Sequence, residues 1–161
     1  MLSMYCSINR TISNKVKNNV FIVYILVEKL LFISLENLNK NKQYDIILNL
    51  EVIEHVNNPK NFIKECSGLV SGNGIMFIAT INKSIFSLIF AKFMAEYVLG
   101  FLPKGTHDWN KFLTPEDIYS FFIQNNFDVI SNIGVNYNPL RDEWFMSKRM
   151  DANFIVSGKK N

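Results

Sequence analysis

The sequence predicts an α/β fold: a parallel sheet covered by helices, with an antiparallel edge at its C-terminal side. Three observations carry this. Apolar, strand-like runs from Asp45 to Leu50 and from Gly74 to Thr80 flank a segment whose apolar residues recur at the helical period. A second helix signal, Thr114-Pro115-Glu116-Asp117, places a capping threonine before proline and two acids. Two more strand runs follow, Phe127 to Val135 and Ala152 to Gly158, with no helical pattern between them. Strands alternating with helices imply a parallel sheet, and the closing pair without a helix implies antiparallel pairing.

Taken in order, residues 1–29 are the least regular part. Met1 to Asn19 is polar, and Val20 to Val27 is then continuously apolar and rich in β-branched and aromatic residues. That run falls short of the roughly 20 residues a membrane helix needs. Arg10, Lys15 and Lys17 precede it as in a signal peptide, but no small-x-small cleavage site follows. One or two buried strands, or a strand preceded by a helix, are expected there. Leu30 to Ser34 reads as a short strand, and Glu36 to Gln43 as a polar turn. Asn58-Pro59 opens a helix whose apolar positions are Phe62, Ile63, Cys66, Leu69 and Val70, with Gly72 ending it. The unbroken apolar run of the next strand predicts burial on both faces. The second helix runs from Pro115 to Asn125. Residues 30–161 thus form one domain carrying a helical insertion at 83–105.

Composition sets outer bounds. A chain of 161 residues, 48% hydrophobic, can bury a core and is not a disordered polar chain. A net charge of +3, without a basic stripe interleaved with aromatics, excludes an electrostatic argument for nucleic acid. Cys6 and Cys66 stand too far apart in sequence for a metal knuckle, and two cysteines make no disulfide framework. Cys66, on the apolar stripe of a helix, reads as a small core residue, and a reducing cytoplasm is the default.

The stretch with chemistry in it is Tyr44 to Val56, YDIILNLEVIEHV. Parallel sheets bind ligands at the carboxyl ends of their strands, so this strand delivers Glu51, Glu54 and His55 to the mouth of a site. If the chain turns helical at Glu51, the three stand at i, i+3 and i+4 on one face. They would then form a hard-cation site or an acid/base cluster. The alternative is that acids in a first helical turn only complement the helix dipole. Gly72-Asn73-Gly74 lies where a helix ends and a strand begins. That is the reverse of a phosphate-cradling loop, so it reads as a turn. From Ile85 to Leu102 a long hydrophobic helix is expected, with apolar residues on more than one face and lysines at Lys83 and Lys104. Such a helix is either buried as core or lid, or laid on an anionic membrane surface.

At this point the residues resemble a family. YDIILNLEVIEHV, NPKNFIKECSGLVSGNGIMFIATIN, AEYVLGFLPKGTHDWNKFLTPEDI, VNYNPL and DANFIVSGKK are similar to segments of the ubiquinone-biosynthesis O-methyltransferases, from about Leu31 to the C-terminus. The resemblance implies a class I, Rossmann-like fold of seven strands with helices on both faces. It implies methyl transfer from S-adenosylmethionine to a catechol-type hydroxyl of a polyprenylated quinol or phenol substrate. It places Leu50 against the cofactor and Glu51, Glu54 and His55 on Mg²⁺ or another divalent metal. It also implies a peripheral location on the inner, cytoplasmic face of the cell membrane.

The family's glycine-rich cofactor loop, its ribose-binding acid and its early strands have no counterpart here, and residues 1–29 match nothing in it. The expectation is therefore an incomplete fold and a truncated, split or decaying enzyme; one alternative is a half-enzyme that works only with a separately encoded N-terminal half. The other is a non-catalytic remnant that docks on a membrane or a complex. No catalytic residue is assigned. His107, in KGTHDW, has a loop context that suits a structural role.

Overall fold

The computed structural model describes residues 20–24, 43–85, 87, 111–138, 140–141 and 143–161. The expected strand from Leu30 to Ser34, most of the segment from Ile85 to Leu102, and His107 lie outside the described residues, as do residues 1–19.

Among the described residues, six strands form one sheet: β1 (Val20–Tyr24), β2 (Tyr44–Leu50), β3 (Val70–Ile81), β4 (Phe127–Asn138), β5 (Glu143–Ser147) and β6 (Asn153–Lys160). Their spatial order is β1-β2-β3-β6-β4-β5. β1, β2 and β3 are parallel, whereas β6 runs antiparallel between β3 and β4, and β5 pairs antiparallel with β4. The expected parallel sheet with an antiparallel C-terminal edge is what forms. Its central feature is the last strand, inserted beside β3 rather than laid at the rim.

Helix α1 (Pro59–Leu69) starts as the sequence indicates: Pro59 occupies the first turn, and the Asn58 side chain accepts from the Asn61 amide at 3.0 Å. It ends at Leu69, not at Gly72. Val70 is already extended (φ −80°, ψ 130°) and begins β3 without a connecting loop. The glycine pair forms a looped-out irregularity within β3: the register with β2 jumps from Tyr44↔Val70 to Ile46↔Ile75, and Asn73 has φ 66°. The Ser71 hydroxyl donates to Asp45 Oδ1 at 2.9 Å and fastens it.

Helix α2 (Pro115–Gln124) is held by a capping box. Thr114 Oγ1 accepts from the Asp117 amide at 3.2 Å, and Asp117 Oδ2 accepts from the Thr114 amide at 2.8 Å.

Both helices pack on one face of the sheet. Ile63, Cys66 and Leu69 of α1 and Ile118 and Phe122 of α2 join Ile47, Met76, Ile78, Phe154 and Val156 in a single core. Phe122 and Phe127 stack with centroids 5.4 Å apart. β3 is therefore not buried equally on both faces. Met76 and Ile78 are fully buried beneath the helices, while Ile75 and Phe77, on the reverse face, are half-buried. Among the described residues, no helix is long and apolar enough to cross a membrane.

Candidate functional site

The parallel strands β2 and β3 end side by side, with Leu50 paired to Ala79. This is the edge where ligands of open α/β sheets bind. The chain leaves β2 through a tight turn. Glu51 takes a left-handed conformation (φ 54°), Val52 is in the right-handed region, and a single 3-10 turn spans Ile53–His55. A left-handed φ is uncommon for a side chain with a Cβ and has to be held by its surroundings. Among the contacts that support it are these. The Glu51 amide donates to the Ala79 carbonyl at 2.9 Å, the His55 amide to the Val52 carbonyl at 2.9 Å, and the Thr80 hydroxyl to Glu54 Oε2 at 2.7 Å. Val52 and Ile53 are buried and anchor the turn from below.

This geometry corrects one premise of the sequence reading. The helical turn begins at Ile53 rather than at Glu51, so Glu51, Glu54 and His55 do not share a helical face. Glu54 is only 3% exposed and bound to Thr80. Glu51 and His55 are half-buried and carry interactions of their own. Among the described residues, no three His, Cys, Asp or Glu side chains are grouped so as to hold a metal ion. Leu50 is half-buried at the sheet end, the position the family resemblance implies for a cofactor contact.

Two residues at this edge escaped the sequence reading. Asn49, fully buried, shares the helix-covered face with Ile78, its neighbour on β3, and neither end of its amide has a hydrogen-bond partner among the described residues. Thr80, also fully buried, lies two residues beyond Ile78 on the same face and grips Glu54, whose Oε1 has no such partner. The available signal was a polar residue at or near the end of each apolar run: Asn49 in DIILNL and Thr80 in GIMFIAT. Burying such groups costs free energy unless they are paired, so a polar residue in that position points to a specific task.

Just past β3, the stems of the long intervening segment are pinned together. Asn82 and Leu113 form a parallel bridge, and the Lys83 amide donates to the Leu113 carbonyl at 3.1 Å. The Asn82 side chain and amide reach the carbonyls of Met150 and Ala152, each at 2.7 Å. The chain thus leaves and returns at one place, beside the candidate site.

Comparison with known proteins agrees with the fold and names the family. A methyltransferase-domain family model matches residues 8–132, so that broader match reaches into residues 8–29, for which the sequence alone showed no resemblance. The ubiquinone biosynthesis O-methyltransferase of Bartonella tribocorum is 44% identical over 123 residues, covering 76% of this chain and 50% of that protein. That of Pelagibacter ubique is 44% identical over 126 residues, covering 78% and 52%. The mitochondrial enzyme of the same name from Dictyostelium discoideum is 41% identical over 124 residues, covering 77% and 39%. The chain therefore spans about half the length of the curated relatives it matches.

Among solved structures, a SAM-dependent methyltransferase of Thermotoga maritima aligns with a TM-score of 0.56 at 14% identity, covering 79% of this chain and 61% of that one. Magnesium protoporphyrin IX methyltransferase of Synechocystis aligns with a TM-score of 0.51 at 16% identity, covering 79% and 48%. At such identities these two bear on the fold alone. With the sheet order, the clamped turn after β2 and the matched family model together, the chain belongs to the methyltransferase-domain family and is similar in sequence to the ubiquinone biosynthesis O-methyltransferases.

Proposed function

We propose that this chain contributes the β2–β6 portion of an S-adenosylmethionine-dependent O-methyltransferase acting in ubiquinone biosynthesis on a catechol-type hydroxyl of a polyprenylated substrate. The observation that carries this is the 44% identity over three quarters of the chain to proteins of that name. The geometry is compatible. Leu50 and the turn at Glu51 stand at the carboxyl ends of two parallel strands, where a cofactor's apolar flank is accommodated. S-adenosylmethionine, when bound, supplies the methyl group. Positioning of the reacting groups supplies much of the rate in such displacements. An N-terminal half carrying a glycine-rich loop would complete the cofactor cleft.

The test is calorimetric titration of the purified chain with S-adenosylhomocysteine, alone and with the N-terminal half of a relative. Binding only in the mixture supports a cleft shared with the N-terminal half, binding by the chain alone supports a self-sufficient site, and no binding in either case overturns the cofactor assignment.

The family pattern also puts Mg²⁺ on Glu51, Glu54 and His55. As placed, these residues do not fit a cation, because Glu54 is turned to Thr80 and the three are not gathered. No chemical step is assigned to it. A Mg²⁺ response that Glu51→Gln and Glu54→Gln both abolish would restore that assignment.

The peripheral membrane location is supported by the hydrophobic stretch from Ile85 to Leu102 between Lys83 and Lys104, and by Ile85 being 76% exposed where that stretch begins. Co-sedimentation with anionic vesicles, lost on replacing Phe86, Phe90 and Phe93 by serine, is the expected outcome. A wild-type chain that ignores such vesicles assigns the stretch to core or lid.

A further inference from the structure

The turn from Leu50 to His55 is strained at one residue, and among the hydrogen bonds described for it one joins two side chains. Backbone bonds hold Glu51 to Ala79 and His55 to Val52, but these would form with many sequences. The bond from Thr80 Oγ1 to Glu54 Oε2, at 2.7 Å, depends on two particular residues that are 0% and 3% exposed. It links the end of β3 to the far side of the turn. Glu54 cannot swing outward without breaking this bond, and Glu51 cannot relax to an ordinary φ without shifting Glu54, three residues on.

We propose that Thr80 is a positioning residue that acts through Glu54: the pair is a clasp that locks the left-handed turn at Glu51 and so sets the cofactor edge at Leu50. This rests on reading Leu50 as a cofactor contact. It assigns Glu54 to holding the turn rather than to ligating a cation, the role the family pattern suggests. A buried hydroxyl–carboxylate bond with no solvent competing for it suits such a lock, since the low local dielectric strengthens it.

The experiment is hydrogen exchange on the intact chain, read at the Glu51 and His55 amides and, as an internal reference, at those of Phe154 and Val156 in β6. Thr80→Val keeps the shape and removes the donor. The expected result is at least tenfold faster exchange at Glu51 and His55 with the β6 amides unchanged, reversed by Thr80→Ser. Unchanged protection at Glu51 and His55 overturns the clasp. So does a loss of protection that is uniform across the sheet and also occurs in Thr80→Ser, since that marks ordinary packing. A third arm adds millimolar Mg²⁺: if it protects both amides equally in wild type and Thr80→Val, a cation rather than Thr80 holds the turn, and the proposal fails.

S-adenosylhomocysteine affinity, measured in parallel, separates the two layers of the argument. Accelerated exchange with unaltered affinity keeps the clasp and removes its link to the cofactor edge. Absence of binding in wild type as well as variant fails the cofactor reading while exchange still decides the clasp.

Discussion

Gly158 lies in β6 directly under the ring of Phe122, and a Cβ there would sit 2.7 Å from Cδ2 and 2.8 Å from Cε2. Gly158→Ala forces the ring aside in a packed core, and overpacking of this kind costs about 1–3 kcal/mol. Gly134 is tighter, because its missing Cβ would collide with the carbonyl of Arg149, which is backbone and cannot rotate away. Gly134→Ala should therefore destabilise more than Gly158→Ala, a ranking that urea denaturation midpoints check. Cys66 makes a different prediction. Burial, with Glu65 adding to it, pushes its thiol up to about 12 from 9.0. In a Cys6→Ser background, the thiol should react with a disulfide reagent at neutral pH only on unfolding. The sign of its pH effect follows. Above about 9 the unfolded chain releases this proton and the folded one keeps it, so stability falls as pH rises from about 9 towards 12 and is unaffected by this group below. Comparing denaturation midpoints at pH 8 and 10.5 with and without Cys66→Ala isolates the contribution. Cys66 could be placed from its position on the apolar stripe, whereas the constraints at Gly134 and Gly158 could not, because the atoms that impose them come from distant parts of the chain.

Among the elements, α2 was the easiest to read. Thr114, Pro115 and Asp117 act within four residues of one another, and the box they form closes with only local atoms. Thr114→Ala should cost about 1 kcal/mol, the usual value for a lost N-cap, and Thr114→Ser much less, as thermal melts would register. The end of α1 was harder. Val70 continues the apolar stripe expected of the helix, and it is buried, but in the first position of β3. Burial alone does not say whether a β-branched residue at such a junction is helical or extended; pairing with Tyr44 does. β5 was missed outright. Its residues, EWFMS, bury neither face, with Phe145 and Met146 44% and 58% exposed, so no alternation marks it. Its strand character comes from pairing with β4.

At the scale of the whole molecule, β1 stands at one end of the sheet and covers the outer edge of β2. Without it, the apolar Ile46-Ile47-Leu48 run would present unpaired backbone to other chains, the usual route to edge-to-edge association. Replacing residues 20–24 by a glycine-serine stretch of equal length should therefore shift the protein toward larger species than the wild type forms, as light scattering after size-exclusion chromatography would read out. At the opposite end, β5 has no further partner strand among the described residues, and Phe145 and Met146 are exposed on it. Phe145→Lys should reduce association from that side. A charged residue on an edge strand discourages pairing and costs little where nothing is buried.

The alternation of strands and helices, both helix starts, the antiparallel C-terminal edge, and the position of the candidate site at the end of β2 followed from the sequence by itself. Each rests on interactions between near neighbours or on a periodicity that a single segment carries. Tertiary structure alone decided that both described helices cover one face and that the last strand lies inside the sheet. It also decided that Glu54 turns inward to Thr80 instead of joining Glu51 and His55. The physical reason is the same in each case. A left-handed residue at Glu51 and a buried hydroxyl 26 positions beyond Glu54 re-aim a carboxylate that local spacing alone had pointed outward, and contacts that distant leave no period in the sequence to read.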